Sequence, residues 1–374
     1  GIAAVWAVYT VVHTLIDRSR WPMVAGRAAT TVALALALSP TLILYTPALM
    51  TEGAVAALLL VAMAVVVRGT HEAAAHSRPR GAVLVVLAVL VAGATYLRPQ
   101  SILFAPVFGL FLDRKTWLRT FGGGVLCGAL SVALVLPWTF RNCERMERCV
   151  FVSANGGWNL LIGTFPEGGG SWVALEGDRV PEECRTVYQE AAKDGCFGQA
   201  GQKRIQADLS GWLTLVPAKL RATADHTAFA TAHLLEAGAI EEPLAQPLRV
   251  AEVLWQRALA LLALLGAVAS SWHRNRRARW WLLPVALLAG VGFAGAGAWW
   301  AWLLCVGLYG AQIRRAEPVA TIGGFALIST LGVHAVFFGA GRYFLPAMLL
   351  AAPLSGLGVA YIFAQLQERQ RAMS

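Results

Sequence analysis

Apolar residues dominate both ends of the chain in runs of about 15–20 positions, and the interruptions between them are short and mostly basic. Before residue 140 the runs cover 1–16, 28–46, 53–67, 81–97, 101–112 and 120–139. After residue 252 they cover 253–271, 280–312, 318–337 and 344–364. A helix needs roughly 20 apolar residues to cross the hydrocarbon core of a bilayer, so most of these runs predict one span each. The run 280–312 is long enough for two, turning near Gly295-Ala296-Gly297. The run 101–112 is short and predicts a tilted or partly re-entrant arm. The expectation is an all-α polytopic membrane protein with about eleven transmembrane helices.

The stretch 140–252 breaks the pattern. It is polar and glycine-rich at its start. From Pro181 to His233 it then shows helical spacing, with Val187, Ala191, Ile205, Leu209, Trp212, Leu213, Val216 and Leu220 on one side and Lys203, Arg204, Lys219 and Arg221 on the wetter side. Such helices pack on the protein body or lie against the membrane face. Three regions follow: a transmembrane region 1–139, a loop domain 140–252, and a second transmembrane region 253–374.

Composition agrees, with 57% hydrophobic and 14% charged residues. An ordinary soluble domain carries about 25% charged residues. The net charge of +10 invites a nucleic-acid reading, but its distribution argues against one. The loop 141–252 holds 11 basic and 15 acidic residues, and the rest of the chain holds 20 basic and 6 acidic ones. Most of those basics, such as Arg18, Arg20, Arg27, Arg114, Lys115, Arg119, Arg276 and Arg277, sit in short loops between apolar runs. That is the positive-inside pattern, which predicts these loops and the C-terminus inside and the large loop outside. The chain opens at Gly1 within an apolar run and without a basic leader, so a further span upstream is expected.

Cys143, Cys149, Cys184 and Cys196 all fall in the large loop, where an oxidising compartment would pair them. Three pairings are open. The local ones, Cys143–Cys149 and Cys184–Cys196, are favoured because each closes a short stretch.

Charged residues outside the basic loops gather at the outer face: Glu52, Arg98, Arg141 and Arg342, with His334 just beneath. Ionisable groups at this depth pair, face a cavity or bind something. A guanidinium fork matches phosphate, and its alternative is snorkelling or an ion pair with Glu52. Glu52 could serve as a base or hold a divalent cation. It could equally pair with an arginine, or belong to a Thr51-Glu52 helix start. Ser153 to Asn159 has the composition of a tight turn, with Trp158 and Asn159 offering an aromatic face and a carboxamide to a sugar. His334 reads as a hydrogen-bonded structural histidine or a catalytic one. There is no phosphate-binding GxxxxGK[ST] stretch.

The ordered set Leu136-Pro137-Trp138-Thr139-Phe140-Arg141-Asn142, Val152 to Gly163 and Pro166-Glu167 resembles bacterial members of glycosyltransferase family 39. So do Ser39-Pro40, Thr51-Glu52, Leu97-Arg98-Pro99-Gln100, His334 and Arg342-Tyr343-Phe344-Leu345-Pro346. These are relatives of the protein mannosyltransferases and of the aminoarabinose transferase, within the GT-C superfamily. The resemblance implies a GT-C-like bundle in a bacterial cytoplasmic membrane, acting in the cell envelope. It would take sugar from a polyprenyl-phosphate donor and pass it to an extracytoplasmic acceptor, with the bilayer as its other partner and no nucleic acid.

It also implies donor-phosphate contacts from Arg98, Arg141 and Arg342, and catalytic support from Glu52 and His334. Sugar or acceptor contacts would come from Asn142, Asn155, Gly156, Gly157, Trp158, Asn159 and Tyr343. The family's catalytic acid lies in a first outer loop that would precede Gly1, and Thr164-Phe165 stand where relatives often carry asparagines. The alternatives are a transporter or flippase for a lipid-linked or anionic substrate, which would show inverted repeats, and a non-catalytic scaffold.

Overall fold

A computed structural model describes residues 1–47, 50–72, 80–146, 148–224, 228–274 and 317–373. The described residues form helices, short 3₁₀ turns and loops, with no strand. Among the described residues, six helical stretches are long and apolar enough to cross a membrane: Pro22–Tyr45, Thr51–Thr70, Trp117–Arg145, Glu242–Ala269, Pro318–Val336 and Gly341–Met373. Ile2–Asp17 and Gly81–Leu97 are shorter apolar helices. The expected pair of spans at 280–312 lies outside the described residues.

The N-terminal region contains α1 (Ile2–Asp17), α2 (Ala25–Ala37), α3 (Pro40–Tyr45), α4 (Thr51–Glu72), α5 (Arg80–Leu97), α6 (Phe104–Gly109) and α7 (Trp117–Arg145). Helix α1 buries Ala7, Val8, Val11, Val12, Leu15 and Ile16, a stripe at helical spacing that packs on α2 and α4. Ser39 caps α3 by accepting the Leu42 amide, and Pro40 in the first turn brings a fixed φ where no amide is needed. The arm expected over 101–112 is a 3₁₀ turn, Pro99–Leu103, running into α6 and packed on α7.

Helix α7 runs through Pro137 to Arg145, beyond the boundary expected at residue 139. Its continuation is fixed from the loop side. The Asn142 amide donates to Val150 and Val152 carbonyls, and the Trp138 indole also donates to Val152. At the other edge, α14 (Glu242–Arg274) begins eleven residues before the apolar run at 253–271.

The loop domain contains α8 (Gly156–Ile162), α9 (Glu182–Arg185), α10 (Glu190–Ala207), α11 (Leu209–Thr214), α12 (Val216–Ala224) and α13 (Phe229–Glu236). Disulfides join Cys143 to Cys149 and Cys184 to Cys196, the local pairing. Its small core of Leu161, Ile162, Phe165, Cys184 and Phe197 extends to Phe338 and Ala340. Those last two lie in the corner between α15 (Pro318–Val336) and α16 (Gly341–Ala351). The loop domain is therefore seated on the end of a membrane helix pair. The chain closes with α17 (Ser355–Met373), which crosses α14 where Gly266 and Gly358 allow near backbone contact.

Candidate functional site

The α15–α16 corner is where polar chemistry collects. Arg98 precedes Pro99, which disfavours a helical backbone, and it is extended at φ −146° and ψ 112°. Its guanidinium pairs with Glu52 in the first turn of α4, and its Nε donates to Thr51 Oγ1 at 3.2 Å. Glu52 is fully buried, and its second oxygen, Oε2, has no partner among the described residues.

Tyr343, in the first turn of α16, joins these groups to the corner. The Arg98 guanidinium lies 5.0 Å and that of Arg342 4.8 Å from its ring centroid. Arg342 Nη2 also donates to the Tyr343 hydroxyl at 2.8 Å. His334 stacks on the same ring, 4.7 Å between centroids and 11° between planes. Its Nδ1–H donates to the Phe338 carbonyl at 2.7 Å, which leaves Nε2 as the imidazole's acceptor atom. Five residues singled out in the sequence, Glu52, Arg98, His334, Arg342 and Tyr343, thus form one contiguous group. No carboxylate forms an ion pair with Arg342 among the described residues.

Arg342 also faces outward. It lines a cleft of about 390 Å³ with Tyr45, Trp172, Phe229, His233 and Glu236. Tyr45 is buried at the cleft edge, and its hydroxyl has no partner among the described residues. Arg342 therefore borders an open space, with the unpartnered Tyr45 hydroxyl buried at its edge. That arrangement suits an anionic oxygen.

The other residues singled out stand elsewhere. Arg141 lies over the Trp138 ring at 4.6 Å and donates to Asn142 Oδ1 at 3.1 Å. Asn142 is buried and occupied in holding the α7 end. Asn155 to Asn159 do not form a tight turn: Asn155 precedes α8, and Gly156, Gly157, Trp158 and Asn159 are its first turn. The helix forms because Gly157 fits against the Asp194 carbonyl, where a Cβ would come within 1.9 Å, and Asp194 accepts the Trp158 amide at 2.8 Å. Trp158 packs edge-on against Phe197 of α10, so this segment joins two loop-domain helices. Among the described residues no group of three His, Cys, Asp or Glu could hold a metal ion.

Two functional-looking residues escaped sequence reasoning. Lys219 is fully buried rather than on the wetter side of its helix. It donates to the carbonyls of Ala335 and Val336 at 3.4 and 3.1 Å, at the end of α15, with the Trp212 ring 4.7 Å away. A helix C-terminus presents free carbonyls and negative potential, which attract an ammonium. Burial pushes the Lys219 pKa down to about 8.

Glu252 is fully buried in α14. It accepts from the Thr41 hydroxyl at 2.9 Å and from the Thr231 amide at 2.9 Å, with a further bond from the Thr231 hydroxyl. It thereby ties α3 and α13 to α14. Neither residue carries a local signal, because each takes its partners from segments distant in sequence.

Compared with known proteins, the chain matches no family model, no curated protein and no solved structure.

Proposed function

We propose that this chain is a membrane glycosyltransferase that moves a sugar from a polyprenyl-phosphate donor to an acceptor outside the membrane. The observation that carries the reading is the position of Arg342, which belongs to the group of buried Glu52 and His334 and half-buried Arg98 and Tyr343 and also lines the open cleft. A leaving polyprenyl phosphate develops negative charge, and a guanidinium already in place stabilises it without reorganising solvent. Arg98 is committed to Glu52, so its role is to hold the Tyr343 face against which Arg342 lies. The ordered motifs that resemble those of glycosyltransferase family 39 point to the same chemistry. In this reading the fold is a GT-C-like bundle of about eleven spans in a bacterial cytoplasmic membrane, with the loop domain outside and the C-terminus inside.

A transporter gains one supporting observation, the broken helix at Pro99–Gly109 beside Arg98. Its α6 piece buries Phe104, Val107 and Phe108, which offers an ion or polar substrate nothing to bind.

The test is transfer of ¹⁴C-labelled hexoses and pentoses from polyprenyl-phosphate donors to an enzyme-free membrane preparation, by the full chain in proteoliposomes. Transfer that falls by about 100-fold in Arg342→Ala is the expected result. Uptake of donor or free sugar into the vesicles without transfer would establish the transporter instead.

A further inference from the structure

Resting on that reading, we infer that the cleft is a carbohydrate site and that Trp172 is the platform on which a sugar ring stacks. Trp172 lines the cleft and is 58% exposed. Exposure alone means little for a single apolar residue. What sets Trp172 apart is its mounting.

The segment that carries it is clamped on both sides. Before it, Gly169 and Gly170 take left-handed backbone, φ 56° and 83°, which turns the chain back on itself. The Gly170 carbonyl accepts the Gly339 amide at 2.8 Å, and both glycines press on the backbone of Lys219. A Cβ at Gly170 would come within 2.4 Å of the Lys219 backbone nitrogen, and one at Gly339 within 2.1 Å of its carbonyl oxygen. After it, Val173 and Leu175 pack into the loop-domain core. Arg179 closes the base of the loop, pairing with Glu167 at 3.3 Å and donating to the Ala174 carbonyl at 3.3 Å. The backbone of Trp172 is thus held while its ring stays open, the condition under which a contact loses little ordering entropy on binding.

The same clamp joins the ring to the α15–α16 corner. Trp172 stands two residues after Gly170 and Arg342 three residues after Gly339, so one backbone bond ties platform and guanidinium together, and both side chains line the cleft. Helix α13 forms another wall, with Phe229, His233 and Glu236. The lining therefore combines a flat apolar ring with the polar groups of Ser171, His233, Glu236 and Arg342. A sugar ring has the matching chemistry, with a face of C–H groups for the indole and an edge of hydroxyls that donate and accept hydrogen bonds. The volume of about 390 Å³ falls within the roughly 300–1,000 Å³ of small-molecule clefts. The aromatic contact expected of Trp158, which packs on Phe197, passes to a ring that lines the cleft.

Saturation-transfer NMR on the full chain in nanodiscs, with a mixture of methyl pyranosides and methyl furanosides as the probe, tests the site without any transfer step. The expected result is saturation of the C–H groups on one face of a glycoside by the wild type. Trp172→Phe keeps the apparent affinity within about three-fold, and Trp172→Ala weakens it about 30-fold, the loss typical of truncating a tryptophan contact.

The sugar belongs either to the donor or to a glycan acceptor, and the transfer assay above separates them. Trp172→Ala raises the KM for the polyprenyl-phosphate sugar in the first case and for the membrane acceptor in the second. Decaprenyl phosphate carries no sugar, so its binding by Trp172→Ala stays within about two-fold of wild type. Glycoside binding that is absent from the wild type or equal in Trp172→Ala overturns the inference, as does a parallel loss of decaprenyl-phosphate binding in that variant. Glycoside binding of the expected pattern without any transfer sinks the glycosyltransferase reading and leaves the carbohydrate site standing.

Discussion

Removing Arg98 should cost more than removing its partner. The Glu52 side chain is 0% exposed and that of Arg98 is 17% exposed. Arg98→Met therefore leaves a carboxylate with neither oxygen paired, since Oε2 already lacks a partner among the described residues. Stripping the partner from a buried charge costs about 3–5 kcal/mol. Glu52→Gln keeps a carbonyl oxygen for the guanidinium, which retains its place over Tyr343 and some access to water, and should cost about 1–2 kcal/mol.

The double variant Glu52→Gln/Arg98→Met removes both charges. It should be more stable than Arg98→Met alone, with a coupling energy of about 2 kcal/mol or more. Unfolding in mixed micelles titrated with SDS and followed by far-UV circular dichroism measures all four proteins. An Arg98→Met cost no larger than that of Glu52→Gln, or a double variant that loses the sum of the singles, would refute the buried pair.

Three further outcomes follow from the seat of the loop domain. The folded Lys219 pKa of about 8 lies below its ordinary 10.5, so between these values the unfolded chain binds more protons and stability rises with pH. The rise amounts to about 3 kcal/mol, and pH-dependent unfolding of Lys219→Met should lack it. Gly170 has φ +83°, and a Cβ there would meet the Lys219 backbone nitrogen at 2.4 Å, so Gly170→Ala should cost about 1–3 kcal/mol and speed limited proteolysis of the loop domain. Replacing both Cys184 and Cys196, 12 residues apart, by serine should lower loop-domain stability by about 3 kcal/mol, read by hydrogen exchange across α8 and α10.

The apolar runs under α4, α7, α14 and α15 were legible because a span needs only length and composition. The convergence of Glu52, Arg98 and Arg342 with His334 beneath was legible too, since each charged group stands at the same end of its run, but Arg141, expected with them, lies instead over Trp138 and against Asn142. The edges of the loop domain were harder. Pro137 looks like a stop, yet α7 passes it because Asn142 and Trp138 find carbonyls in the segment that follows. Asn155-Gly156-Gly157 carries turn chemistry, yet Gly157 serves for close approach to α10 and the chain is helical. Lys219 and Glu252 belong to polar stretches and become buried only because the α15 carbonyls, Thr41 and Thr231 reach them. The wall formed by α13 likewise takes its meaning from the corner it faces. Pattern shows which face a helix can bury, and the partner decides whether a polar group on it is wet or held.

Binding of tritiated decaprenyl phosphate to the full chain in nanodiscs tests the central claim most directly, because it asks whether Arg342 and not Arg141 receives the phosphate. A lost charge-assisted bond of about 1.5–3 kcal/mol predicts an affinity about 10–100-fold weaker for Arg342→Ala and unchanged for Arg141→Ala. Equal binding by Arg342→Ala and wild type, or an equal loss in both variants, would contradict it.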